Sequence, residues 1–259
     1  LFPQQMMDFF ERRMQISPND QCLSLLTKLY EALRSGRASL NAKDLGEDLL
    51  PSLKSELVGK PELKRPIVLT EQGDLYFRRY YQYELILAQN LWLKANLKGP
   101  VPSELALDLI KEHLGNSPDQ LDAAIKSISN KIALITGGPG TGKTFMVVTM
   151  LAALLIDFPG LRVCLCAPTG KAAHRLSESI IENLKLLNLS SDQLSAFPKE
   201  ASTIHRLLRP LPPSIHFRRN EKTQLEFDLL IVDEASMVDL PLMSKLVQAL
   251  PETSRLLLI

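Results

Sequence analysis

The sequence predicts an α/β fold, a parallel sheet with helices on both faces, preceded by a mainly helical N-terminal region. Three observations predict it. "KIALITG", "RVCLCAP" and "FDLLIVDE" are short continuous apolar runs, the form that strands buried on both faces take. Helical segments separate them, giving strand, glycine loop, helix, strand, helix, strand, a doubly wound order. Before residue 114 the period is instead mostly helical.

The N-terminal elements follow in order. "QQMMDFFERRM" and "CLSLLTKLYEALRSG" carry apolar residues at three- and four-residue steps, and Gly36 stands where a helix stops. "ASLNAKDLGEDLLPSLKSEL" is a weaker helical pattern, broken at Pro51. "IVLTEQGDLYF", 67 to 77, reads as a hairpin around Glu-Gln-Gly-Asp. "RRYYQYELILAQNLWLKANL" reads as a long helix stopped by Gly99-Pro100. Its aromatics and their neighbours, Tyr76, Tyr80, Tyr81, Tyr83 and Trp92, suit a core more than a partner surface. "KGPVPSE" and "EHLGNSPDQLDAA" mark breaks. They divide the chain into a mainly helical domain, 1–114, and an α/β domain, 115–259.

"FMVVTMLAALLI", 145 to 156, reads as a helix buried all round and is too short to span a bilayer. Residues 209 to 226, Pro-rich and then basic, read as a surface excursion. The chain has 259 residues, with Lys plus Arg 30 and Asp plus Glu 29, a net charge of +1. Global charge therefore announces no nucleic-acid partner, and any such site must be local. Cys164 and Cys166 share one face of a strand and read as small buried hydrophobes. A metal pair there needs two more ligands, and His113, His174, His205 and His216 are scattered. Unpaired thiols and no visible secretory leader suit a cytoplasmic setting with no membrane partner. The chain opens on Leu1 and closes within "RLLLI", so both ends read as cut.

Gly137-Gly138-Pro139-Gly140-Thr141-Gly142-Lys143-Thr144 fits G-x-x-x-x-G-K-[ST] between a strand and a helix, the P-loop NTPase arrangement. Glycines let backbone N–H groups curl around phosphates, and the helix N-terminus adds partial positive charge. Lys143 is expected to reach the β- and γ-phosphates of ATP, and the Thr144 hydroxyl to ligate Mg²⁺. In "LLIVDEAS", Asp233 ends a strand at the same sheet edge and suits Mg²⁺; Glu234 is placed to polarise the attacking water. Lys143 and Glu234 are thus the expected catalytic pair. Ser117, Pro118 and Gln120 match a helix start with a capping box, while Gln120 also suits an adenine edge; the two roles compete.

A second Thr-Gly-Lys lies in "LCAPTGKAAHRLSE". Five residues before Gly170 stands Leu165 rather than Gly, and Ala172 follows Lys171, so no hydroxyl serves Mg²⁺. A strand end, turn and helix start with two cations suits the phosphate of another molecule, or a plain solvent-facing helix start.

"LITGGPGTGKT", "CAPTGKAAHRLSE", "ASTIHRLL" and "DLLIVDEASMVDLPLM", in this order, resemble the motif set of superfamily 1 helicases. The match is nearest to the RecD type, the alpha subunit of the bacterial exonuclease V complex. It covers roughly 117 to 259, and "LYFRRYYQYELILAQNL" is similar to the RecD stretch before the motor. The resemblance implies a RecA-like motor domain, incomplete here, using ATP and Mg²⁺ for 5′–3′ translocation on single-stranded DNA beside the beta and gamma subunits. It implies that Gln120 contacts adenine and that Pro168, Thr169, Lys171, Thr203 and His205 contact DNA. For His205 a capping or core role is the alternative. Met237 and Val238 are expected to pack. Such helicases need a second RecA-like domain with an arginine finger, which "SRLLLI" does not reach. Residues 1–259 are therefore expected to bind ATP–Mg²⁺, hydrolyse it poorly and not unwind DNA alone. A clamp-loader-like ATPase is a poorer fit, because "APTGKAAHRL" followed by "STIH" is foreign to it; a RecD-like enzyme that acts alone is the nearer alternative.

Overall fold

The computed structural model describes residues 2–14, 19–138 and 140–259. Contacts divide the chain into two compact units, Leu1–Ile86 and Leu87–Ile259.

The first unit opens with α1 (Phe2–Met14) and α2 (Asp20–Arg34). Asn19 caps α2, its side chain accepting from the Cys22 N–H at 3.0 Å. The helix stops where Gly36 adopts φ +83° and Arg37 N–H returns to the Ala32 carbonyl. Four short strands follow: β1 (Ser39–Asn41), β2 (Val58–Gly59), β3 (Ile67–Leu69) and β4 (Asp74–Phe77). They form one sheet in the order β1-β4-β3-β2. The expected hairpin is present as antiparallel β3 and β4, with Gly73 at φ +87° in its turn. Leu25, Leu26, Leu29, Leu57, Ile67 and Leu75 form the buried core.

Residues 38–57 are not one weak helix. They form β1 and two 3₁₀ segments, Ala42–Asp44 and Glu47–Lys54, the second containing Pro51. Asn41 turns the chain: its oxygen accepts from Lys43 N–H, and its amide donates to the Asp74 carboxylate at 2.9 Å. Tyr76 is buried and meets Tyr81 edge-on, and Tyr80 packs against the core, as expected of the aromatic stretch.

The division falls within α3 (Arg78–Asn96), upstream of the 114 read from the sequence. Residues 87–114 pack with the α/β part: Leu87 and Leu91 join one of its cores, and α4 (Glu104–Leu114) supplies Ala106, Ile110 and Leu114 to the other. The Lys94 ammonium donates to the carbonyls of Pro251, Glu252 and Ser254. Burial lowers its pKa to about 8. Trp92 departs from the core expectation, being 71% exposed.

The second unit continues with α5 (Pro118–Ile128), β5 (Ile132–Leu134), α6 (Lys143–Asp157), β6 (Val163–Ala167), α7 (Gly170–Leu184) and α8 (Ser191–Ala196). Then come β7 (Ser202–Thr203), α9 (Ile204–Leu208), β8 (Leu229–Val232), α10 (Leu240–Gln248) and β9 (Arg255–Leu258). The sheet order is β5-β9-β8-β6-β7, every pairing parallel. Alternate strand residues feed two cores. Leu165, Leu229, Ile231 and Leu257 face α4, α5, α6 and α7. Cys164, Cys166, Leu230, Val232 and Leu256 face α9 and α10. Residues 146 to 155 of α6 are all buried, as an unbroken apolar helix requires. Among the described residues, no helix is long and apolar enough to cross a membrane.

Candidate nucleotide and nucleic-acid site

A parallel sheet sends all its strand ends the same way. The turns after β5, β6, β7 and β8 therefore emerge at one edge, where α/β sheets hold ligands.

The turn after β5 is the glycine loop. Gly140 and Gly142 both have φ +74°, the left-handed region that glycine enters without strain. A side chain at Gly142 would also meet the Gln120 amide at 3.0 Å. Gly142 caps α6, so the helix begins at Lys143. The Lys143 ammonium donates to the carbonyls of Gly137, at 2.6 Å, and Gly138, at 3.0 Å, which holds the cation over the loop. Thr141 Oγ1 donates to the Gly138 carbonyl at 2.9 Å. Pro139 lies outside the described residues.

Gln120 sits at the start of α5. The capping box is not formed: among the described residues Ser117 makes no side-chain cap. The Gln120 amide instead donates to the Thr141 carbonyl at 2.7 Å. It lines a cleft of about 550 Å³ with Asn116, Ile135, Gly137, Thr141 and Met146, a size suited to a small organic ligand. A second cleft, on which Thr144 opens, is lined by Ser179 and Asn183 of α7. No spacing in the sequence connects those two residues to the loop.

The turn after β8 carries Asp233 and Glu234. Burial is the main cause that raises the Asp233 pKa; the Glu234 charge adds to it, while a backbone hydrogen bond from Glu234 and the charge of Lys143 oppose it. The loop lysine and the strand-end acid therefore share one electrostatic environment. Glu234 adopts φ +50°, unusual for a residue with a side chain and worth on the order of 1 kcal/mol of strain. That turn lies against the end of β9, with Ala235 N–H donating to the Ile259 carbonyl. Among the described residues no group of three or more His, Cys, Asp or Glu is placed to hold a metal. Met237 does not pack as expected: it is 63% exposed, while Val238 lies against the core.

The turns after β6 and β7 lie side by side, because Cys166 pairs with Ser202 and Ala167 with Thr203. Ala167, Ala172, Ala173 and Ala201 pack between them, small enough to let the backbones approach. Thr169 caps α7, accepting from Ala172 N–H, and Thr203 caps α9, accepting from Arg206 N–H. Pro168 is half-buried; Lys171, Arg175 and His205 are exposed. His174 pairs with Glu178 at 3.2 Å. The structure thus gathers Pro168, Thr169, Lys171, Thr203 and His205 on two adjacent turns, beside the strand that carries Asp233. His205 is neither a cap nor a core residue; its ring stands 5.9 Å from that of Phe217.

The cysteines of β6 are what their strand position implied. Both are buried, and burial pushes the Cys164 thiol up to about 12 and Cys166 upward as well, so both stay protonated.

The AAA domain family model matches residues 120–259. The RecBCD enzyme subunit RecD of Haemophilus influenzae is 39% identical over 201 residues, covering 72% of this chain and 31% of that protein. The subunit of the same name from Mycolicibacterium smegmatis is 34% identical over 252 residues, covering 88% of this chain and 43% of that one. The ATP-dependent RecD2 DNA helicase of Deinococcus radiodurans is 39% identical over 149 residues, 58% of this chain and 18% of that protein. The chain spans less than half the length of each.

Proposed function

The chain belongs to the AAA domain family and is RecD-type in sequence, and from that premise we propose that it carries the first motor domain of an ATP-driven DNA helicase. The full-length protein would translocate 5′ to 3′ on single-stranded DNA as a subunit of the bacterial exonuclease V complex, with the beta and gamma subunits as partners. One observation carries this reading. The phosphate loop and its acids end β5 and β8, while two cation-bearing turns end β6 and β7 of the same parallel sheet.

The site fits ATP with Mg²⁺. Loop N–H groups and Lys143 would hold the phosphate oxygens, and Thr144 with Asp233 would hold the metal. Mg²⁺, when bound, supplies charge that the β- and γ-phosphates need neutralised. Glu234 would accept the proton of the attacking water at its carboxylate. The Gln120 amide would exchange the Thr141 carbonyl for the adenine edge. Thr169, Lys171, Thr203 and His205, with Pro168 shaping the turn, would grip the DNA backbone. The unit Leu1–Ile86 would serve as a docking module for a partner subunit.

A RecD-like helicase acting alone is the second reading, favoured by the match to the Deinococcus radiodurans protein over 149 residues. The Mycolicibacterium smegmatis match, over 252 residues, takes in most of the first unit as well and favours the subunit type. Co-purification of residues 1–86 with the other exonuclease subunits separates the two.

The motor reading is tested by ATP hydrolysis in the full-length protein with and without single-stranded DNA. The rate is expected to rise when single-stranded DNA is added. A rate that DNA leaves flat ends the motor reading.

A further inference from the structure

His205 stands on the turn after β7 as an exposed imidazole, and an exposed ring binds poorly unless something holds it. The structure supplies a holder from far along the chain. After α9 the backbone leaves on an excursion whose base is closed: Arg218 N–H donates to the Arg209 carbonyl, Arg219 N–H to the Leu208 carbonyl, and Pro210 pairs with Phe217. This closure brings the Phe217 ring to 5.9 Å from the His205 ring, at 56°. Behind Phe217 lies Lys245 of α10. Its ammonium stands 5.2 Å from the centre of the Phe217 ring and donates to the Ile215 carbonyl at 2.7 Å. One side chain thereby grips both the ring and the excursion that carries it.

Asp233 and Glu234 pass through the 3₁₀ turn Ala235–Met237 straight into α10, whose first turn Asp239 caps by accepting from Leu242 N–H at 2.8 Å. Lys245 thus stands on the helix that follows the acid-bearing turn in the chain.

We propose that Lys245 is a positioning residue of the single-strand site: through Phe217 it fixes the His205 ring. The proposal rests on the reading of His205 as a DNA contact.

A double-mutant cycle on the full-length protein tests both, with a labelled oligothymidylate as probe and fluorescence anisotropy as readout. Lys245→Met keeps the apolar stem and is expected to weaken binding roughly 3- to 10-fold, the scale of a lost cation–π contact and hydrogen bond. It should raise the DNA concentration for half-maximal ATPase stimulation and leave DNA-free ATP affinity alone. Lys245→Arg, which keeps cation and donor, should restore binding. In a His205→Ala background Lys245→Met should add almost nothing, because the group it acts through is gone. An equal loss in both backgrounds overturns the proposal, since Lys245 would then touch DNA itself or act on the fold at large. Tight binding by His205→Ala alone overturns the reading beneath it, a separate and recognisable result.

Discussion

Two Thr-Gly-Lys turns stand at the same sheet edge, and they differ by one residue in where the helix starts. After β5, Gly142 is left-handed, so α6 begins at Lys143. After β6, Thr169 is extended and caps the helix, so α7 begins at Gly170 and the lysine falls one place later. In the first turn the glycines keep the chain open long enough to form a loop, and no side chain occupies the helix end. In the second, the threonine hydroxyl already takes the Ala172 N–H, and the turn closes tightly. An open helix start suits a buried polyphosphate; a closed one with outward cations suits a backbone phosphate passing over it. Identical tripeptides therefore build different turns, and the deciding feature is backbone handedness.

The sharpest break of that contrast exchanges which ligand is lost. Lys143→Ala is expected to weaken nucleotide binding about 10- to 100-fold, the range of a charge-assisted contact, with single-strand affinity little changed. Lys171→Ala should do the reverse, weakening single-strand binding and lowering the salt slope by about one, with DNA-free ATP affinity kept. Titrations of fluorescent ATP and labelled oligonucleotide against each variant decide it. If Lys171→Ala abolishes nucleotide binding, the second turn is a nucleotide loop and the contrast collapses.

Handedness itself is tested at the two glycines. Gly142→Ala forces a side chain into φ +74° and against Gln120, so it should cost about 1–2 kcal/mol and reduce ATP affinity. Gly170→Ala meets nothing within 4 Å and has no left-handed backbone, so it should leave stability unchanged or raise it by about 0.4–1 kcal/mol. Thermal unfolding of the two variants, side by side, reads the difference. Equal destabilisation would mean that backbone handedness does not separate the turns.

What was legible in the sequence is what short stretches decide by themselves. β6 and β8 declared themselves because each is buried on both faces and apolar throughout, as Leu229–Val232 is, whereas β5 at the sheet edge was legible from its apolar run although Leu134 is exposed. The glycine loop was legible because its conformation needs glycine and its chemistry needs lysine at adjacent positions. Residues 38–57 were not, because Asn41 takes its conformation from Asp74, a residue of another strand. The boundary at 114 followed the break in "EHLGNSPDQLDAA", yet α4, which precedes it, belongs with the α/β part, its Ala106 and Ile110 filling that core. Gln120 satisfied two local patterns equally; the capping box is not formed, and its amide turns instead to the Thr141 carbonyl, a partner no local pattern signals. Lys245 and Phe217 had no local signal, since their partner His205 is brought near by the closure of an excursion.

The smallest expected effect isolates the cap. Thr169→Ala removes the acceptor for Ala172 N–H and should cost about 1 kcal/mol, seen as a lower unfolding temperature. Thr169→Ser keeps the oxygen and should restore stability. The first turn has no counterpart to lose, because Gly142 occupies the corresponding cap position. ATP affinity should not move with either Thr169 variant, since that hydroxyl is committed to its own helix. Single-strand affinity should fall with Thr169→Ala and return with serine, because Lys171 is presented by the turn that the cap holds closed. A stability loss with no change in single-strand binding would reduce Thr169 to a helix cap and leave Lys171 to act without it.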